Sequence, residues 1–194
     1  MAAFDKILKY NILLASASPR RKELLSHLGF DFKVVKLQGV AESFPKNLYR
    51  GEIAEYLAKK KAERFSDLKT NELLITADTI VWIDDKVLGK PDNYSDAFQM
   101  LKLLSGKEHF VITAVCLKSV SKTLVFQVET KVKFANLTDE EIRFYIENYR
   151  PYDKAGAYGI QEWIGKIGIK YIEGSYYNVV GLPVQRLYRE LIRF

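Results

Sequence analysis

An α/β fold, with a mixed twisted sheet flanked by helices, is what this sequence predicts. Two patterns carry the prediction. In the first half, short apolar runs of strand length alternate with stripes at helical spacing. Beyond them, residues 110–117 and 124–134 read as two long strands close enough in sequence to pair. At 194 residues the chain is one domain, 1–194, of one or two small lobes, and no linker marks a boundary.

Composition narrows the class. Apolar residues make up 48% and charged residues 28%, ordinary values for a globular protein. No apolar run approaches the roughly 18 residues that span a bilayer, and the N-terminus lacks a signal-peptide pattern. The expected location is therefore the cytoplasm, with no membrane partner. Cys116, the single cysteine, cannot form an internal disulfide, and its alternating apolar surroundings predict a buried, inert thiol. With only His27 and His109, a His/Cys zinc site is close to excluded. His27 reads as structural and His109 as a surface strand residue. The net charge of +6 suits nucleic acid, an acidic surface or a polyphosphate, yet no Lys/Arg block of the nucleic-acid type is present.

Taken in order, Ile12–Ala15 is a strand-length run, Ser16–Ser18 a turn of small residues, and Pro19 the first position of a helix reaching about Gly29. Ser18 is a good N-cap, and Pro19 lacks an N–H where none is needed. The helix N-terminus favours an anion, so Arg20 and Arg21 in its first turn oppose the dipole unless a polyanion neutralises them. Guanidinium forks match phosphate oxygens. Taken alone, adjacent arginines are simply two solvated side chains; the strand–serine–proline–helix context favours a phosphate site. Residues 31–37 read as a second strand, and 39–47 as a loop holding Glu42.

The next helix, about 49–65, carries Ile53, Ala54, Leu57, Ala58, Ala62 and Phe65 on one stripe. At about 100° per residue Lys61 falls near the middle of that stripe, while Lys59 and Lys60 point away. An inward lysine either snorkels or meets an anion. Asp78 is the most anomalous charge: the run 73–83 is apolar except for Thr76, Asp78 and Thr79. A carboxylate there is costly unless compensated, and the turn signal, Asp84-Asp85, comes only later. A hairpin then returns to Gly89-Lys90-Pro91, which presents Lys90 between a flexible and a rigid residue.

Residues 93–106 form an amphipathic helix with Gly106 at its end. The long strands follow, the second burying one face, and a Thr138–Glu141 capping box opens a helix to about 148. In Lys154–Gln161 the glycines allow close approach to a ligand, Tyr158 offers an aromatic face, and Gln161 carries a donor and an acceptor able to read a base edge. An ordinary turn leading into a strand is the alternative. Residues 169–172 read as a strand, 174–178 as a polar-aromatic loop, and Pro183 opens the last helix.

Four segments in this order, LLASASPRRKELL (13–25), TADTIVWIDDKVLGKP (76–91), KAGAYGIQ (154–161) and GSYYNVVGLP (174–183), resemble the motifs of the Maf family of nucleoside triphosphate pyrophosphatases. The similarity runs from about Asn11 to the C-terminus. It implies an elongated two-lobed fold with the active site in a central cleft, and a substrate-binding lysine at Lys61. Arg20, Thr79 and Gln161 together resemble the dTTP/UTP-cleaving branch more than the branch acting on methylated GTP. One departure stands out. The family usually has glycine after Gln161, where this chain has Glu162, which leaves the shape of the adjoining loop open.

The reading that results is hydrolysis of a nucleoside triphosphate, dTTP and UTP above all, to the monophosphate and pyrophosphate. Asp78 is the candidate catalytic base or metal holder. Ser16, Arg20, Arg21, Lys61, Thr79, Lys90 and Gln161 are the candidate substrate-binding residues. Glu42 and Asp78 are the candidate ligands of a divalent cation, Mg²⁺ or Mn²⁺. A Walker-type ATPase is disfavoured because GxxxxGK[ST] is absent. The expected partner is the nucleotide, with no stable nucleic acid complex; a homodimer is left open. Two alternatives remain: a non-catalytic nucleotide- or RNA-binding regulator of cell division, and a pyrophosphatase of the same family acting on modified or purine nucleotides.

Overall fold

β1 (Asn11–Leu14) leads through a four-residue turn into α1 (Pro19–Ser26), where the Ser18 Oγ accepts from the Arg21 N–H at 3.4 Å. In this computed structural model the described residues are 5, 7–37, 39 and 43–194; Glu42 lies outside them. Past α1 the chain keeps turning to Gly29, whose φ of 81° suits the left-handed exit that glycine makes cheaply. β2 (Phe32–Val34) pairs parallel with β1 and is shorter than the expected 31–37. It lies at one edge of the sheet, where β1 is the strand that it pairs with among the described residues.

α2 (Gly51–Glu63) buries Ile53, Ala54, Leu57, Ala58 and Ala62, the anticipated stripe except for Phe65, which lies past the end of the helix and is half-buried. β3 (Glu72–Ile83) runs parallel to β1, with Leu14 level with Ile75. A tight turn follows in which Asp84 and Asp85 take φ values of 48° and 56°, as a two-residue hairpin turn demands, and β4 (Lys86–Leu88) pairs back antiparallel. α3 (Tyr94–Leu104) is capped by Asn93. β5 (Glu108–Lys118) and β6 (Thr123–Phe134) are the long strands, and α4 (Asp139–Tyr149) opens on the expected capping box, with both reciprocal bonds made. β7 (Ile169–Glu173) lies antiparallel to β6, so the seven-stranded sheet is mixed. α7 (Val184–Leu191) ends the chain.

Two short helices were not foreseen. α5 (Trp163–Gly168) follows Gln161, where the shape of the adjoining loop was left open, and α6 (Tyr176–Val180) replaces the expected 174–178 loop. The second has a clear cause. Asn178, fully buried, donates from Nδ2 to the Val111 carbonyl at 3.0 Å and to the Thr130 Oγ1 at 2.9 Å. Long-range bonds that no local pattern reveals thus hold that segment.

The chain divides into two compact units; three of the four boundaries fall inside a continuous strand, and the fourth follows the helix Tyr176–Val180. The first holds the residues up to Asp78, Thr113–Val128 and Gly181–Phe194; the second holds Thr79–Ile112 and Glu129–Val180. The second unit has its own core, in which Leu101, Leu104, Val132, Phe134, Ile142 and Ile146 pack from β6, α3 and α4.

His109 corrects the sequence reading. It is fully buried rather than on the surface, shares a 2.7 Å hydrogen bond with the Tyr158 hydroxyl, and meets Phe134 and Tyr158 edge to face. Tyr158 is itself 5% exposed, so its ring belongs to the core and is not a platform for a ligand. Burial lowers the His109 pKa to about 3, so the native protein holds the ring neutral. The unfolded chain binds the proton near pH 6.5, so the contribution of His109 is complete above that pH and lost as pH falls towards 3. Urea unfolding between pH 6.5 and 5, above most carboxylate titration, should show stability dropping by about 1.4 kcal/mol per pH unit through this group. In His109→Gln that slope should flatten; an equal slope in the variant would assign the proton elsewhere. Cys116 is buried as expected, and burial pushes its thiol up to about 11.

Candidate active site

In the first unit, the topology converges on Asp78. β2 lies on one side of β1 and β3 on the other, so the chain reverses its winding at β1. Ligands of open α/β sheets gather beyond the carboxyl ends of strands at such a point. The β1–α1 turn emerges there. Ser16, 6% exposed, accepts the Ser18 N–H on Oγ at 3.2 Å. From the first turn of α1, Arg21 reaches across. Its Nε donates to the Gly181 carbonyl at 2.8 Å and its Nη1 to the Ala77 carbonyl at 2.9 Å, one residue before Asp78. The guanidinium is thus a strut that ties α1, β3 and the 181–182 segment together, a structural role the sequence reading did not anticipate. Arg20, half-buried, is its neighbour on the same turn.

Lys61 comes to Asp78 from α2. Its Nζ makes a short ion pair with Asp78 Oδ1, and both side chains are nearly buried, 12% and 9% exposed. Two side chains hold α2 in the position this requires. Thr76 Oγ1 donates to the Ala58 carbonyl at 2.6 Å, and Lys118 Nζ donates to the carbonyls of Ala62 and Phe65 at 3.2 and 2.7 Å. The helical phase read from the sequence therefore holds: Lys61 faces in. Lys59 is exposed, and Lys60 donates to the Ser43 carbonyl at 2.8 Å. Lys61→Ala should raise the KM of a triphosphate ligand by roughly 10-fold or more, the worth of a hydrogen bond to a charged group. Lys59→Ala and Lys60→Ala should leave it near wild type. Equal shifts from all three, measured side by side, would show the wrong lysine has been chosen.

The second unit brings together a different set. Thr79 is half-buried on β3, directly after Asp78. The Lys154–Gln161 segment begins with a short 3₁₀ turn, Ala155–Ala157, that packs on the same face of β3. A Cβ on Gly156 would stand 2.8 Å from Val81 Cγ2, and Val81 shares its face with Thr79. Gly156, at φ 69°, also donates its N–H to the Gly89 carbonyl at 2.9 Å, which fixes the turn beside exposed Lys90. Gln161 is half-buried, and its Oε1 is buried with no hydrogen-bond partner among the described residues. That is an acceptor in want of a donor.

Around Gln161 lies a network that sequence reasoning missed. Lys154, 7% exposed, forms an ion pair with Glu162 Oε1 at 3.0 Å, and Tyr145 donates to Glu162 Oε2. Burial, then this hydrogen bond, keeps the Tyr145 hydroxyl well above the usual phenol range. Only the Glu162 departure in the sequence hinted at it. Of the candidate metal ligands, Asp78 stands in the first unit, while Glu42 falls outside the described residues. No group of three or more His, Cys, Asp or Glu side chains is gathered among the described residues.

Known proteins bear on this arrangement. Residues 11–194 match the Maf-like protein family. The dTTP/UTP pyrophosphatase of Bacteroides thetaiotaomicron is 55% identical over 184 residues, covering 94% of this chain and 95% of the relative. That of Phocaeicola vulgatus is 56% identical over 188 residues, covering 96% and 97%. Among solved structures, the Staphylococcus aureus Ham1 protein aligns with a TM-score of 0.50 at 15% identity over 93% of this chain and 97% of that one. At that identity the likeness concerns the fold, a mixed α/β architecture shared by both.

Proposed function

This chain belongs to the Maf family, and from that premise we propose that it hydrolyses nucleoside triphosphates, dTTP and UTP foremost, to the monophosphate and pyrophosphate. The observation that carries the proposal is identity above half, across nearly the full length, with relatives named for that activity. Hydrolysis breaks the anhydride between the α- and β-phosphates. A water adds to phosphorus, pyrophosphate leaves with the bridging oxygen, and the proton of the water passes to a base.

Asp78 is that base in this reading. Lys61 meets its Oδ1, and Oδ2 is the oxygen that takes the proton. Lys61, Arg20, Arg21, Ser16 and Lys90 would meet phosphate oxygens and offset charge developing on the leaving pyrophosphate. A divalent cation, Mg²⁺ or Mn²⁺, is part of the same proposal. Asp78 would supply a carboxylate and the triphosphate further hard oxygens, a donor chemistry that suits such an ion; Glu42, the other expected ligand, lies outside the described residues. Once bound, such an ion would supply positive charge to the phosphate oxygens. A cytoplasmic enzyme free of nucleic acid belongs to this reading too; no helix among the described residues is long and apolar enough to cross a membrane.

Gln161 reads the base, with Thr79 and Arg20 as the other residues tied to substrate choice. A uracil-type base presents carbonyl, N–H, carbonyl in a row. The buried Oε1 of Gln161 would accept from the N–H, and its Nε2 would donate to a flanking carbonyl. Gln161→Ala should therefore lower kcat/KM for dTTP and UTP by roughly 5- to 150-fold. Purine triphosphates should lose much less. An equal fall for dTTP, UTP, CTP and GTP would make Gln161 scaffold. Pyrophosphate assays on a nucleotide panel with Mg²⁺ or Mn²⁺ test the whole reading. A protein that binds nucleotides or RNA without releasing pyrophosphate would be the non-catalytic regulator instead.

A further inference from the structure

We propose that Glu162 is a specificity-determining positioning residue, one that sets the Gln161 carboxamide for base reading by locking the backbone on both sides of it. The inference rests on the base-reading role of Gln161. Its material is the second-unit network. The Glu162 carboxylate is a fork with one oxygen on Lys154 Nζ at 3.0 Å and the other on the Tyr145 hydroxyl. That hydroxyl also accepts the Gly159 N–H at 3.0 Å, and the Glu162 N–H donates to the Gly159 carbonyl at 3.0 Å. Gly159 is thus held at its N–H and its carbonyl, and both ties run to Glu162, one of them through Tyr145. Gln161 sits inside the loop so closed.

Two glycines show how tightly the loop is drawn. A Cβ on Gly159 would stand 2.9 Å from the Glu162 carboxyl carbon and 3.1 Å from Gln161 Nε2. The absent side chain is what allows both residues to fold over that spot. On the far side, a Cβ on Gly165 would stand 1.9 Å from the Ile160 carbonyl oxygen, so α5 starts hard against the peptide that precedes Gln161. The result is a half-buried carboxamide whose Nε2 lies over Gly159 and whose Oε1 is buried and unmatched among the described residues. Preorganisation of this kind removes the ordering cost that a mobile glutamine would impose on the complex.

Lys154 explains why the residue is a carboxylate. It is 7% exposed, and among the described residues its ammonium meets, besides Glu162, the more exposed Asp153 carboxylate at 2.7 Å. A small residue at 162 would leave this buried cation half-served and the Tyr145 hydroxyl without an acceptor, a cost that itself drives the loop open.

The test is a double-mutant cycle on the full-length protein, read as kcat/KM for UTP and CTP with pyrophosphate detection. Tyr145→Phe keeps the buried ring and deletes one hydroxyl. It should reduce the UTP-over-CTP preference by roughly 2- to 10-fold, the worth of a hydrogen bond. Glu162→Ala should reduce it by at least as much, chiefly through a higher KM for UTP, and Glu162→Gln should recover part of it. In a Gln161→Ala background both losses should vanish, because there is no carboxamide left to place. If Gln161→Ala alone alters selectivity while Glu162→Ala and Tyr145→Phe do not, the positioning role is wrong and base reading survives. If Gln161→Ala does not alter selectivity, base reading itself has failed. Melting temperatures identify a variant that simply fails to fold, and Tyr145→Phe and Glu162→Gln then decide the matter.

Discussion

Asp78→Asn should lower kcat by about 10²-fold or more, the contribution of a general base, while KM for UTP changes little. From sequence alone the same change reads as harmless to the fold, since it removes a buried charge. The ion pair with Lys61 reverses that expectation. Replacing the carboxylate removes a counter-charge from a nearly buried ammonium, and breaking such a pair from one side costs about 3–5 kcal/mol. Asparagine can still accept a hydrogen bond, so the lower end applies. Lys61→Met in the Asp78→Asn background should restore stability, because a matched apolar and neutral pair has no charge to bury. It should not restore turnover. Urea unfolding and steady-state kinetics on the single and double variants separate the two effects. Wild-type turnover by folded Asp78→Asn would end the proposed role.

Arg21→Lys is the second large effect. Were Arg21 only a phosphate ligand, lysine would keep the charge, stability would stay put, and KM alone would rise. The structure gives a different expectation. Nε and Nη1 of one rigid fork reach two carbonyls, those of Gly181 and Ala77, and an ammonium cannot reproduce that span. Hydrogen bonds from a charged donor are worth about 1.5–3 kcal/mol each, so a loss of about 2–4 kcal/mol in unfolding free energy is expected. Because the Ala77 carbonyl adjoins Asp78, the base should also drift, and a displacement of about 1 Å can cost 10²-fold in kcat. A variant with unchanged thermal stability and a purely KM effect would return Arg21 to the phosphate role alone.

Features with a local cause were legible in the sequence, and those with a distant cause were not. Ser18-Pro19, the Thr138/Glu141 box and the α2 stripe act within a few residues of themselves, so pattern and structure agree. The inward phase of Lys61 followed from the same periodicity. Its partner did not, because nothing in α2 indicates which residue of β3 it will meet. His109 was misplaced for a related reason: its burial depends on Phe134 and Tyr158, which reach it from β6 and from the 154–161 segment. α6 was read as a loop because its anchors, Val111 and Thr130, lie far upstream. At the candidate site, an unusual charge in an apolar run pointed to Asp78, while Lys61 and Gln161 were singled out only with the help of the family resemblance. The strut made by Arg21 and the fork made by Glu162 emerge only once the chain has folded.

Cleavage of the α–β anhydride of a pyrimidine triphosphate can be watched directly by ³¹P NMR of UTP incubated with the purified protein and Mg²⁺. The three triphosphate resonances should give way to UMP and inorganic pyrophosphate in equal amounts, and Asp78→Asn should slow this by about 10²-fold or more. UDP with orthophosphate as products, or UTP that stays intact while the protein binds it, would rule out the proposed reaction.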